Sequence, residues 1–129
     1  MALLIEQTPD IAAGVAAAIV DTYTARRERV QEIPLADLVT GSVSADLSAI
    51  IAVVAGDLRV VEIVAEDYDD LERLAPATWT LAGRGWDVIV LVPCNRVGDA
   101  HASLRAAPCQ LQPWWLDEHG VWFGALETP

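Results

Sequence analysis

Glu62 is the residue of this chain whose setting most needs explaining. It stands alone in Leu58–Val64 among Val60, Val61, Ile63 and Val64, and a carboxylate in an apolar strand requires a partner, an exposed end or a chemical task. A second acid, Asp46, opens the preceding apolar run, Leu47–Val54. Asp57 follows Gly56 and is explained by a turn without chemistry. Cys94, His101, Cys109 and His119 carry the atoms of a Cys₂His₂ zinc site, but separations of 7, 8 and 10 positions match no tight ligand pair. A Cys94–His101 nucleophile pair would have to meet across a helical turn or more. Gly41-Ser42-Val43-Ser44-Ala45 is not the strained G-x-S-x-G elbow of a serine hydrolase. Gly83-Arg84-Gly85 precedes a strand instead of following one, the reverse of a dinucleotide fingerprint. All eight basic residues are arginine. The missing lysine amine excludes a P-loop, a Schiff-base enzyme and a lysine general base.

These groups depend on the elements that carry them. Thr8-Pro9 suits a helix start, and Ile11, Val15 and Ile19 recur every four residues, with Thr22 and Tyr23 continuing the stripe. The pattern predicts a helix to about Val30, with Arg26, Arg27 and Arg29 opposing the macrodipole in its last turns. Pro34 closes the region, and Leu35–Thr40 offers one short helical turn. Asp46–Val54 and Leu58–Val64 then form a hairpin around Ala55-Gly56-Asp57. Acids at Glu66–Asp70 start a second helix along Leu71, Leu74, Ala75, Thr78 and Ala82, with a kink or restart at Pro76 and a stop at Gly83-Arg84-Gly85. Val88–Val92 reads as a strand buried on both faces. Asn95 is positioned to cap a helix over Arg96–Ala107. Cys109–Leu116 and Val121–Leu126 make a second hairpin across Asp117-Glu118-His119-Gly120. The order is α-β-β-α-β-α-β-β, a mixed α/β class in one domain spanning 1–129.

This order, with Asp46 at the head of the first hairpin strand and Glu62-Ile63-Val64 on the second, resembles the PD-(D/E)XK superfamily of restriction endonuclease-like nucleases over about Thr8 to Leu111. The resemblance implies a three-layer core, a mixed sheet with flanking helices. It implies that Asp46 and Glu62 share a Mg²⁺ ion, which activates water and stabilises charge on a phosphate. Two departures matter. Val64 stands where the motif has lysine, and Ala45 where it has proline. Arginine does not replace that lysine as a base, because it stays protonated. The resemblance therefore implies a degenerate site without a cofactor, and the expected function is a non-catalytic interaction or scaffold protein. The alternative is a Mg²⁺-dependent nuclease or phosphodiesterase using Asp46 and Glu62, helped by Glu66 or another acid. Beside both stands an ordinary explanation: Asp46 beginning a strand in water, and Glu62 paired with Arg59 or another surface arginine.

Charge and aromatic content bound the partners. With 19 acids against 8 arginines the net charge is −11, spread over both halves of the chain. Nucleic acid and anionic membranes draw affinity from basic side chains, so both are unexpected partners. Ile11–Val20 is too short to span a bilayer and lacks a basic lead-in for export, and two cysteines give no disulfide framework. The expectation is a cytoplasmic protein with reduced Cys94 and Cys109. Trp114 and Trp115 are adjacent on a strand and must face opposite sides, and Trp122-Phe123 repeat this on the partner strand. Either both faces of the sheet are covered or an aromatic face is free to associate. The expectation is a homodimer with Trp114, Trp115 or Trp122 in its interface.

Overall fold

Val15, Ala16, Ile19 and Tyr23 lie on one face of the first helix, α1 (Ile11–Ala25), and bury it against a sheet. The computed structural model describes residues 11–39, 47–65 and 68–129, without the side chains of Tyr68 and Asp69. The proposed helix start at Thr8-Pro9, the candidate ligands Asp46 and Glu66, and Ala45 lie outside the described residues. Six strands follow: β1 (Arg29–Pro34), β2 (Ser48–Val54), β3 (Leu58–Val64), β4 (Asp87–Pro93), β5 (Gln110–Asp117) and β6 (Gly120–Phe123). Two further helices, α2 (Tyr68–Gly83) and α3 (Val97–Ser103), connect β3 to β4 and β4 to β5. The strands lie in the order β1-β2-β3-β4-β5-β6. β3 runs parallel to β4 and β4 to β5, while the other neighbours are antiparallel. The fold is a mixed six-stranded sheet flanked by helices, with the Leu58–Val64 hairpin strand beside Val88–Val92 as expected.

Alternation along each strand sends successive side chains to opposite faces, and the core divides accordingly. One apolar cluster joins Val61, Ile63, Val90 and Val92 to Leu71, Leu74 and Leu81 of α2 and to Ala100 and Leu104 around α3. The other joins Ile50, Ala52, Val64, Leu91 and Trp114 to α1. From Val60 to Val64 every residue of β3 is buried, because this central strand is covered on both sides.

Three expectations need correcting. The first helix ends at Ala25, not near Val30, and Arg29–Pro34 forms β1, adding a strand to the expected order. The stop is a Schellman motif: Glu28 N–H donates to Tyr23 O at 3.0 Å and Arg27 N–H to Thr24 O at 3.0 Å. Arg27 takes the left-handed conformation, φ 60°, a position usually held by glycine. The arginines therefore lie beyond the helix instead of in its last turns. Second, of the kink or restart expected at Pro76, the restart does not occur: α2 is one helix with Pro76 inside it. It ends in the same motif, with Gly85 at φ 90° and Trp86 N–H donating to Leu81 O at 3.1 Å. Third, Asn95 is not a cap. Cys94–Arg96 form a 3-10 turn, Arg96 precedes α3 without a side-chain capping bond, and the helix stops at Ser103, short of Ala107. Ala106, at φ 65°, turns the chain there.

Candidate functional site

Position 62 lies on the α1 face of β3, two residues from Val64 and opposite Ile50 of β2 and Ile89 of β4. Strand alternation places Arg59 on the other face, and Arg59 is exposed. The carboxylate is only 6% exposed and finds its partner on α1, where the Tyr23 hydroxyl donates to Glu62 Oε2. Tyr23 continues the Val15–Ile19 stripe by one further turn, so the helix that buries its ring also delivers its hydroxyl to the strand. Burial raises the Glu62 carboxyl above its ordinary value; the Tyr23 hydrogen bond and the Arg26 charge lower it in part. Burial, then the hydrogen bond and charge of Glu62, push the Tyr23 phenol up in turn. Burial thus opposes ionisation of both members of the pair.

A cleft of about 310 Å³ opens beside this pair at the C-terminal end of α1, bordered by Thr22, Arg26, Glu62 and Gln112. Arg26 forms no ion pair with Glu62 among the described residues, although its charge is felt there. Gln112, on β5, donates through Nε2 to Gly124 O at 3.0 Å. Sequence reasoning singled out Glu62 but assigned no site role to Tyr23, Arg26 or Gln112. The signal for Tyr23 was present: a hydroxyl on a buried helical stripe needs a polar partner across the interface.

The remaining candidates are dispersed. Val64, at the motif's lysine position, is 2% exposed and packs among Val15, Ala16 and Ile19 of α1. Asp57 is exposed in the hairpin turn, where Ala55 and Gly56 both have positive φ. Cys94 is exposed and Cys109 buried, both as free thiols, and burial pushes the Cys109 thiol up to about 11. His101 Nε2 lies 2.9 Å from Glu127 Oε1, and His119 Nε2 lies 3.4 Å from Glu118 Oε1 at the β5–β6 turn. Among the described residues no three His, Cys, Asp or Glu side chains gather as a metal site. No helix among them is long and apolar enough to cross a membrane.

The tryptophans separate by face. Trp114 is 6% exposed within the α1 cluster, its indole N–H without a hydrogen-bond partner. Its place is in the core. Trp115 and Trp122 form a directly opposed cross-strand pair on the other face, 42% and 47% exposed. A hydrogen bond from the Trp122 side chain, then one from the His119 backbone, lowers the Asp117 carboxyl. Comparison of the chain with protein-family models, curated proteins and solved structures finds no match.

Proposed function

We propose that this protein is a non-catalytic association module, a homodimer-forming subunit on a degenerate restriction endonuclease-like core. The observation that carries the reading is the exposed Trp115–Trp122 pair beside the sheet edge at β6. The two edges differ in kind. β1 carries Arg29, Glu32 and Pro34, the residues that discourage strand addition. β6 is Gly120-Val121-Trp122-Phe123, without charge or proline. A two-fold axis beside β6 would bring two Trp115–Trp122 pairs together, burying on the order of 400 Å² of aromatic surface before backbone pairing adds to it. The net charge of −11 opposes association, but it is screened beyond about 8 Å at physiological salt.

The absence of catalysis is supported by the lysine position. A Mg²⁺-dependent nuclease of this pattern would need the motif lysine two positions after Glu62, and Val64 instead fills α1's apolar contact, while the nearby Arg26 stays protonated and is no base. Glu62 is itself engaged by Tyr23. Sedimentation equilibrium at micromolar concentration tests association: the expected mass is twice 13.9 kDa, falling to the monomer in Trp115→Ser/Trp122→Ser. A wild-type monomer at that concentration overturns the reading. Incubation with DNA and RNA in Mg²⁺ or Mn²⁺ should give no cleavage. Cleavage abolished by both Asp46→Asn and Glu62→Gln would establish the phosphodiesterase alternative instead.

A further inference from the structure

The cleft beside Glu62 has the polar inventory of a small-molecule site, and its groups differ in kind. Tyr23 occupies Glu62 Oε2, while Oε1 receives no hydrogen bond among the described residues. Gln112 spends one of its two amide N–H donors on Gly124 O, and its own Oε1 remains as a second acceptor. The Arg26 guanidinium, on the cleft's border, makes no hydrogen bond among the described residues and has unused donors, its backbone N–H alone being engaged by the last turn of α1. Ile19, Ile89, Phe123 and Leu126 complete the lining with apolar surface. A volume of about 310 Å³ lies at the small end of ligand clefts.

We propose that this cleft binds a free α-amino acid with an apolar side chain, its ammonium between Glu62 and Gln112, its carboxylate on Arg26 and its side chain against Ile89, Phe123 and Leu126. The charges select this class. A buried carboxylate gains most from a cation that brings its own hydrogen-bond donors. A bare amine would meet the uncompensated Arg26 guanidinium nearby. A simple fatty acid would satisfy Arg26 but place its charge toward Glu62. A zwitterion satisfies both, and an acid and a base lining the same cleft give it one orientation. The inference is independent of the dimer: Glu62 and Gln112 lie on the α1 face, and Trp115 and Trp122 on the opposite face.

Isothermal titration calorimetry on the full chain tests this with L-leucine, L-valine and L-phenylalanine, alongside isoamylamine and 4-methylpentanoate. The amine lacks leucine's carboxylate and the acid lacks its ammonium. At least one of the three amino acids should bind saturably with one site per chain. The two analogues should bind at least about tenfold more weakly than leucine, as expected for losing one charge-assisted hydrogen-bonding group. Glu62→Gln and Arg26→Gln, checked for cooperative melting, should each weaken amino-acid binding by about tenfold or more. Absence of saturable heat from all three amino acids at ~10 mM would overturn the proposal. So would an amine or acid analogue binding as tightly as leucine, or binding unchanged in folded Glu62→Gln. The analogue series uses wild-type protein and decides the matter even where a variant fails to fold.

Discussion

The two faces of the sheet are built on different terms. On the α2–α3 side the packed residues are almost all aliphatic, with Cys109 and Trp86 at hand, and the buried hydroxyl of Thr78 is satisfied within its own helix by donating to Ala75 O at 2.7 Å. On the α1 side the same sheet carries Glu62, Gln112 and an indole N–H without a partner among the described residues, and α1 adds Tyr23. The first face is held mainly by buried apolar area. The second tolerates polar groups that cost free energy to bury and opens a cleft beside them. One sheet thus separates a layer packed almost wholly by apolar side chains from a layer that also buries polar ones.

That contrast can be broken or sharpened by substitution. Leu81 is fully buried in α2, and Leu81→Ala should cost about 2–5 kcal/mol in urea denaturation, with little dependence on pH. A pH-sensitive loss there would erase the distinction between the faces. On the α1 side, Tyr23→Phe should cost about 1.5–3 kcal/mol where Glu62 is ionised and about 0.5–1.5 kcal/mol where it is protonated. The sign for Glu62 itself follows from its raised carboxyl. A group whose folded pKa exceeds its unfolded one contributes stability fully below the ordinary value of 4.5 and loses it as pH rises through the folded value. Wild-type protein should therefore lose stability relative to Glu62→Gln as pH rises from below 4.5 toward neutrality, in parallel urea titrations. The helix ends offer a smaller comparison. Gly85→Ala should destabilise by about 1–2 kcal/mol, because alanine resists a left-handed backbone. Arg27→Gly, at the matching position after α1, should stabilise by up to about 1 kcal/mol. Thermal melts of the two variants moving in the same direction would contradict the equivalence of the two stops.

How much of this was legible depended on whether the signal was local. The Leu58–Val64 hairpin, the buried Val88–Val92 strand and the second helix each announced themselves by periodicity and by Gly56 or Gly85 at their boundaries. β1 did not, because the turn before it uses Arg27 where glycine usually stands, so nothing in the composition marks the helix end. Its six residues also alternate weakly, with only Val30 and Ile33 partly covered. Glu62 was conspicuous for the same local reason as the hairpin. Its partner was hidden because Tyr23 lies 39 residues away, and only the packing of α1 across β3 brings the two together. Gln112 carried no signal at all: a glutamine in a strand acquires meaning only from Gly124 and the cleft beside it.

The consecutive strand order has a consequence for how the chain reaches this state. Each strand pairs only with those immediately before and after it in the sequence, so the sheet can grow outward from a local nucleus without threading a late segment between earlier ones. The β2–β3 hairpin, closed by three residues, can form in about 1–10 μs, whereas β4 and β5 each require a helical crossover and a larger loop-closure entropy. Emerging from a ribosome, the N-terminal strands can pair before β5 and β6 have been synthesised. Until β4 docks, the buried flank of β3 remains an open template, and that interval is when the nascent chain is most exposed to pairing with a neighbour.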